Sequence, residues 1–281
     1  MTPITVAARA SLAAAVIVVL SACSDGGDSG SSVPTTSVSG DEHFDPVTSA
    51  TSDSPSTSVA LASSTTIIGL GNVEFRSVSI GDTVVDVAIA EPRGAIRDEP
   101  EVVFTLPPGG QDHGTTEDVM AQIWARQARE RGWVVVSPVA PAGAFFTSGD
   151  ALLPGLVDWA IAEYAPRGGK LHLAGVSNGG LSAFHAFALT PDRFDSITVF
   201  PGYPSGDDRE ALDALAQIPV RLFVGGEDSS WLAASEDLRD ELEQRDGDVE
   251  LRVFPGEGHR IAALRGGEIL FDTIAAATGA P

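Results

Sequence analysis

The strongest constraint on the fold is a regular alternation of strand-like and helix-like stretches that begins near residue 70. Residues 101–106 (EVVFTL) and 133–138 (WVVVSP) are short apolar runs, and a stretch with helical spacing lies between them. Near-continuous apolar strands are typical of parallel sheets that are covered on both faces. The alternation therefore predicts an α/β fold with a mostly parallel central sheet of about eight strands, flanked by helices.

The other predicted elements continue this alternation to the end of the chain. Residues 73–79 and 83–90 predict an antiparallel pair that precedes the parallel strands. Further strands are predicted at 171–175, 196–200, 220–224 and 249–254, and helices at 116–131, 151–164, 181–189, 208–216, 232–245 and 267–278. Residues 64–281 are therefore expected to form one domain of the size usual for this type of fold, with no run of elements long enough for a lid domain.

The N-terminus resembles an export signal. Arg9 precedes the apolar run 12–20 (LAAAVIVVL), which is too short to span a bilayer, and Leu20-Ser21-Ala22-Cys23 follows it. Leu-x-x-Cys at this place resembles the bacterial lipobox, which implies removal of residues 1–22 and lipidation of Cys23. An ordinary secretory peptide with a chance cysteine is the alternative. The expected location is extracytoplasmic, either lipid-anchored to a bacterial membrane or secreted.

Residues 23–63 are dominated by Ser, Thr, Gly, Asp and Pro. Such a composition buries too little apolar surface to offset its chain entropy, so the segment is expected to be a disordered tether.

The composition excludes several classes of function. The 281 residues include 39 acids and 17 bases, a formal net charge of -22, and such a chain is repelled by nucleic acid. Its single cysteine rules out an internal disulfide framework and a multi-cysteine zinc site. We expect no cofactor and no metal ion, and a monomer.

The sharpest motif is Gly175-Val176-Ser177-Asn178-Gly179, between a predicted strand and a predicted helix. In that context Gly-x-Ser-x-Gly is the nucleophile elbow, a tight turn that lifts a serine hydroxyl above the sheet edge. Ser177 is therefore the candidate nucleophile.

A serine hydroxyl needs a base, and the base needs a carboxylate that orients it. His259 follows the last strand, at the sheet end where Ser177 emerges, and His113 is the runner-up. Asp228 follows the strand before that, and Glu227, Asp207 and Asp208 are its alternatives. His172 and His185 lie in regular elements and are expected to be structural.

The oxyanion of a reacting carbonyl needs N–H donors. The residue after the nucleophile, Asn178, is expected to supply one main-chain N–H group. The loop Leu106-Pro107-Pro108-Gly109-Gly110-Gln111-Asp112 is expected to supply the other, since its glycines let the main chain approach a substrate oxygen closely.

Four aromatic residues follow predicted strands at the same end of the sheet, where open α/β folds bind ligands. They are the candidate pocket walls Phe145, Phe146, Tyr203 and Trp231. Packing of the loops is the alternative for them, whereas Trp124, Trp133 and Trp159 lie in regular elements and are expected in the core.

The order Ser…Asp…His and the elbow make residues 70–280 resemble the α/β-hydrolase superfamily. Gly-x-Ser-Asn-Gly-Gly and the Pro-Gly-Gly-Gln loop look like secreted esterases of the poly(3-hydroxybutyrate) depolymerase and feruloyl esterase type. That family usually has His-Gly where this chain has Pro107-Pro108. Aligned on Pro108-Gly109, the resemblance to hydrolases with a Pro-Gly-x loop implies Gly110 as the second oxyanion donor. The resemblance implies the α/β-hydrolase fold and cleavage of small or polymeric carboxylic esters. A peptidase or acyl-aminoacyl hydrolase on the same residues, and a non-catalytic surface-anchored binding module, remain alternatives.

Overall fold

The computed structural model describes residues 67–68 and 73–280, which all lie in the unit Ser56–Pro281. In this part of the chain the strands are β1 (Ile67–Ile68), β2 (Glu74–Ile80), β3 (Thr83–Ala90), β4 (Val102–Leu106), β5 (Val134–Pro138), β6 (Leu171–Gly175), β7 (Phe194–Val199), β8 (Val220–Gly225) and β9 (Val249–Phe254). They form one sheet in the order β1-β2-β3-β5-β4-β6-β7-β8-β9.

The predicted mostly parallel sheet is confirmed. The first strands are antiparallel, and from β5 to β9 every neighbouring pair is parallel. The predicted antiparallel pair is β2–β3, closed by a two-residue turn in which Gly81 has φ +58°. Because the six strands β4 to β9 all run in the same direction, their carboxyl ends meet at one edge of the sheet.

The α-helices of the described residues cover both faces of this sheet. They are α1 (His113–Val119), α2 (Ala125–Arg131), α3 (Leu153–Tyr164), α4 (Asn178–Leu189), α5 (Leu212–Leu215), α6 (Ser229–Glu243) and α7 (Glu268–Thr278). Asp112 caps α1 by accepting a hydrogen bond from the N–H of Thr115 at 2.9 Å. This bond lowers the pKa of the Asp112 carboxyl. Gly132 ends α2 in the left-handed conformation, as its place after the helical pattern predicts.

The side chains of β4 show how the two faces are filled. Val102, Phe104 and Leu106 pack into one core with α3, α4 and α6, while Val103 points into a second core with α2 and α7. Alternate residues of a strand point to opposite faces, so a strand that is buried throughout needs helices on both sides. The predicted core tryptophans Trp124, Trp133 and Trp159 are all buried.

Three predicted elements differ from the structure. The helix expected at 116–131 begins at His113 and widens into a π-helical segment at Met120–Trp124. There the carbonyl of Gln122 accepts a hydrogen bond from the N–H of Gly266 at 2.9 Å, and a Cβ at Gly267 would lie 2.1 Å from the carbonyl oxygen of Ile123. The neighbouring turn thus reaches into the widened helix, which a 3.6-residue pattern does not reveal.

The other two differences lie at the carboxyl end of the sheet. The helix expected at 208–216 is a 3₁₀ segment, Gly206–Ala211, followed by the single turn of α5. The stretch 140–150, expected to be irregular, contains a π-helical turn at Phe145–Gly149.

The predicted signal peptide, Cys23 and the tether lie outside the described residues. None of the helices in the described part is long and apolar enough to cross a membrane.

Candidate active site

Ser177 occupies the tight turn between β6 and α4. It adopts φ 56° and ψ -120°, a conformation that is strained for any residue with a Cβ. Its N–H donates to the carbonyl of Pro201 at 2.9 Å, which fixes the turn from a neighbouring strand end. A Cβ at Gly179 would lie 2.0 Å from the carbonyl oxygen of Leu106, so this glycine permits a contact between two main chains. The turn therefore has the geometry of a nucleophile elbow.

The structure brings Ser177, His259 and Asp228 into one hydrogen-bonded line. The Nε2 of His259 lies 2.7 Å from the Oγ of Ser177, and its Nδ1 lies 2.6 Å from Oδ2 of Asp228. A carboxylate only accepts, so Nδ1 carries the proton that binds Asp228, and Nε2 accepts from the serine hydroxyl. The His259 side chain is 43% exposed, whereas that of Asp228 is 13% exposed.

Two adjacent loops hold Asp228 and His259 together. The N–H of Gly226 donates to the carbonyl of Phe254 at 2.8 Å, and the N–H of Glu227 donates to the carbonyl of Glu257 at 2.9 Å. The loop after β8 is thus hydrogen-bonded to the loop after β9 just before Asp228 in the first loop and His259 in the second. The position of the carboxylate relative to the imidazole is set by main-chain contacts.

The alternative residues lie elsewhere. His113 stacks on Phe75 with ring centroids 3.8 Å apart, and Asp208 bonds His185 at 2.6 Å. Glu227 and Asp207 are exposed, and Asp228 is the carboxylate that meets His259.

The two expected oxyanion donors lie on segments that contact each other. Asn178 is the first residue of α4, and its side-chain Nδ2 donates to the carbonyl of Gly109 at 3.1 Å. The main-chain N–H groups of Asn178 and Gly110 donate to no acceptor among residues 73–280. Free N–H groups at a helix N-terminus attract negative charge. Both groups are available to a substrate oxygen.

Among the four expected pocket aromatics, Trp231 lies next to the ring of His259, and Tyr203 lies next to Trp231. The Trp231 ring is 5.3 Å from that of His259 and 5.1 Å from that of Tyr203, measured between centroids. Phe146 is half-buried, and its N–H donates to the Oγ of Ser182 at 3.2 Å.

The expectation that Phe145 lines the pocket is wrong. Its side chain is fully buried, because the π-helical turn rotates it into the core between the sheet and α3 and α4.

Solved structures resemble this chain in fold. An acetyl xylan esterase from Aspergillus awamori aligns with a TM-score of 0.57 at 15% identity, over 74% of this chain and 99% of that one. An S-formylglutathione hydrolase from Agrobacterium tumefaciens aligns with a TM-score of 0.56 at 17% identity, over 77% and 98%. The chain has the α/β-hydrolase fold.

Other comparisons cover less. A thermostable esterase aligns with a TM-score of 0.51 at 16% identity over 64% of this chain, which spans about half (54%) of that protein. The sequence profile of the Dienelactone hydrolase family matches residues 147–278, somewhat less than half of the chain. That segment includes Ser177, Asp228 and His259 but not the loop of Gly110. No curated protein sequence matches this chain.

A second Ser–His–carboxylate line lies at the opposite end of this α/β-hydrolase sheet. His172 is 3.0 Å from Ser196 through Nδ1 and 2.9 Å from Glu101 through Nε2, and all three are buried. Burial by itself raises the pKa of Glu101, but His172 and Arg167 outweigh burial and hold that pKa below its usual range. Closed off from solvent, this line fits the structural role expected of His172.

Two residues that lie beside the site are not predicted from the sequence. Gln111 lies in the Pro-Gly-Gly-Gln loop and Ser182 lies in α4, and the sequence pattern assigns a role to neither of them. Ser182 is a polar residue on the buried side of α4, and this is the signal that points to it.

Proposed function

We propose that the protein is a serine hydrolase that cleaves carboxylic esters through an acyl-enzyme. The observation that carries the proposal is the continuous line from Ser177 through His259 to Asp228, on the loops where the α/β-hydrolase fold places nucleophile, base and acid. The matches to the Dienelactone hydrolase family and to proteins described as esterases support the same reaction class.

The proposed reaction begins when Ser177 Oγ attacks the ester carbonyl carbon and its proton passes to His259 Nε2. The carbonyl oxygen becomes an oxyanion, which accepts hydrogen bonds from the N–H groups of Asn178 and Gly110. The bond to the alcohol then breaks, and the departing oxygen takes the proton from His259. Asp228 keeps Nδ1 protonated and stabilises the imidazolium formed on the way.

The acyl-enzyme is hydrolysed by the same residues. A water molecule gives a proton to His259 Nε2 and attacks the acyl carbon. The bond to Ser177 Oγ breaks, the proton returns to the serine, and the carboxylic acid leaves. Neither step requires a cofactor or a metal ion.

The proposed substrates are short-chain esters or polyester-type chains that lie across an open cleft. The exposed side chain of His259 and the adjacent ring of Trp231 support an open site. Tyr203, Phe146 and Trp231 are the proposed walls. The finer resemblance to poly(3-hydroxybutyrate) depolymerases and feruloyl esterases remains part of this proposal.

The test compares Ser177→Ala with Ser230→Ala, a control at an exposed serine in the first turn of α6. On p-nitrophenyl acetate, Ser177→Ala is expected to lower kcat on the order of 10⁴-fold or more, and Ser230→Ala to leave it unchanged. A fluorophosphonate probe is expected to label the wild type at Ser177 only.

The outcomes separate the alternatives. Folded wild type that is neither labelled nor active contradicts the proposal and favours a non-catalytic binding module. Labelling of Ser177 with turnover of acyl-aminoacyl amides but not of esters favours a peptidase. Retention of more than about a tenth of the rate in Ser177→Ala places the nucleophile elsewhere.

We also propose that a lipid on Cys23 anchors the enzyme to a bacterial membrane. The support is Leu20-Ser21-Ala22-Cys23 after the apolar run 12–20. Wild type expressed in a bacterium is expected to partition into detergent, and Cys23→Ala to be processed differently. Equal mobility and equal partitioning of the two proteins reject the anchor.

A further inference from the structure

Gln111 is an unusual residue beside the proposed oxyanion site. It directly follows Gly110, its side chain is fully buried, and its main chain adopts φ +59°. A non-glycine residue in the left-handed region is strained and persists only where its surroundings determine its position. What surrounds Gln111 therefore bears on its role.

The side-chain amide of Gln111 connects three separate segments. Its Nε2 donates to the carbonyl of Pro107 at 3.0 Å and to the Oγ of Ser182 in α4 at 3.0 Å. Its Oε1 accepts from the N–H of Phe145 at 2.7 Å, and the Oγ of Ser182 lies 3.3 Å from the same oxygen. The amide thus ties the loop of Gly110 to the nucleophile helix and to the Phe145–Gly149 turn.

The main chain of Gln111 is held as well. Its N–H donates to the carbonyl of Pro108 at 3.2 Å, and its carbonyl accepts from the N–H of Ala140 at 2.8 Å. On the other side of Gly110, the carbonyl of Gly109 accepts from the side chain of Asn178. In a trans peptide the carbonyl and the next N–H point in opposite directions, so this bond orients the N–H of Gly110.

We propose that Gln111 is a positioning residue for the oxyanion site: its buried amide and left-handed main chain hold the Gly110 N–H where it meets the oxyanion. The inference rests on the proposed function. Gln111 does not touch the substrate, and it acts through the loop 107–110. A buried polar network whose members are all hydrogen-bonded is rigid, and a donor placed in advance of the reaction needs no reorganisation.

A positioning role has a kinetic signature. The oxyanion exists in the transition state and not in the bound ester, so loss of a correctly placed donor lowers kcat and leaves KM nearly constant. Complete loss of one such donor costs about 10²–10³-fold in kcat. Displacement of the Gly110 N–H is therefore expected to cost about 10- to 100-fold.

The experiment uses Gln111→Met, which keeps the side-chain volume but removes every amide hydrogen bond, and Gln111→Gly. Glycine adopts φ +59° without strain, so Gln111→Gly removes the amide while it favours the native main chain. We expect both folded variants to lose kcat on p-nitrophenyl acetate about 10- to 100-fold, with KM within about threefold of wild type. Ser182→Ala leaves the hydrogen bond that Gln111 donates to Pro107 and the one that it accepts from Phe145, and is expected to lose kcat about three- to tenfold.

Leu270→Ala is the matched control for stability. Leu270 is fully buried in α7, in the core on the opposite face of the sheet from Gln111's contacts with α4. Assayed well below the lowest Tm of the set, it is expected to keep the wild-type kcat although it unfolds at a lower temperature. An equal loss of kcat in Leu270→Ala would make the Gln111 effect one of general stability and overturn the proposal.

Unchanged kcat in either folded Gln111 variant overturns the proposal. If neither variant folds, unchanged kcat in Ser182→Ala overturns it. Failure of the proposed function is distinguishable, since the wild type would then hydrolyse no ester. The rate at which fluorophosphonate labels Ser177 would still show whether the N–H donors are correctly placed, because the reagent also develops charge on an oxygen at that site.

Discussion

A Cβ atom at Gly225 would lie 2.1 Å from the carbonyl oxygen of Gly258, so the end of β8 packs main chain against main chain with the loop that carries His259. Gly225 stands three residues before Asp228, and Gly258 stands one residue before His259. The absence of a side chain at Gly225 thus sets the distance between the loops of the carboxylate and the imidazole.

Gly225→Ala is expected to destabilise the fold by about 2–3 kcal/mol, because the new methyl meets main-chain atoms that cannot rotate away. It is also expected to lower kcat, since displacement of these loops by about 1 Å costs about 10²-fold. Gly226→Ala is the control: the nearest atoms to a Cβ there are 3.4 Å away, an ordinary contact. Denaturant unfolding and esterase kinetics measure both effects, and equal behaviour of the two variants would contradict the argument.

Asp228→Asn is expected to lower kcat about 10³- to 10⁴-fold with little change in stability. Asparagine keeps the shape but does not hold the proton on Nδ1 of His259, so Nε2 no longer accepts from Ser177. Glu227→Gln, at the exposed neighbouring acid, is expected to stay within about threefold of wild type. A larger loss in Glu227→Gln than in Asp228→Asn would transfer the role to Glu227.

Short acyl chains are expected to give the highest kcat/KM. Each buried CH₂ contributes about 0.8 kcal/mol, and carbons that extend beyond an open cleft contribute nothing. The measurement is kcat/KM for p-nitrophenyl esters from acetate to palmitate, below and above the micelle concentration. No rate increase is expected at the interface, since the helices of residues 73–280 flank the sheet and none of them forms a lid domain. Preference for palmitate with a jump at the interface would identify a lipase.

His185 is expected to make stability depend on pH. The hydrogen bond that Asp208 accepts from His185 raises the pKa of His185, burial opposes the rise, and the charges of Asp208 and Asp150 add to it. A raised pKa in the folded state means a contribution that is complete below the unfolded value of about 6.5 and is lost as pH rises through the folded value. The advantage of wild type over His185→Gln in free energy of unfolding should be larger at pH 5.5 than at pH 9. Denaturant titrations check this, and a larger advantage at pH 9 would reverse the sign. The lower pH lies about one unit below the usual histidine pKa of about 6.5, and the higher pH lies more than two units above it.

Sequence periodicity was sufficient to predict the elements that carry the site. The bounds predicted for β6 and β9, 171–175 and 249–254, are those of the structure. Strand β6 is buried throughout and ends at Gly175, whereas β9 is an edge strand with no fully buried residue and is followed by Pro255. A glycine or a proline marks the end of each strand, and the order of strands then brings Ser177, Asp228 and His259 to one edge of the sheet.

The features that the sequence does not predict share a physical cause, because contacts between distant parts of the chain determine them. Phe145 was expected in the pocket because it follows a strand, but the turn that begins there points its ring into the core. Gln111 lies in the Pro-Gly-Gly-Gln loop, and its proposed role depends on Ser182 and Phe145, which are 71 and 34 residues away in the chain. Local spacing contains no information about partners at such separations.

Ser177 and His259 are 82 positions apart in the chain, and this separation also defines an order of assembly. During synthesis the elbow of Ser177 emerges well before β8, β9 and the loop that ends at His259. In the proposed mechanism, a nascent chain therefore has its nucleophile long before it has its base, and a product truncated ahead of residue 259 would contain an inert serine. The proposed hydrolytic activity would therefore arise only when the last fifth of the polypeptide has joined the sheet.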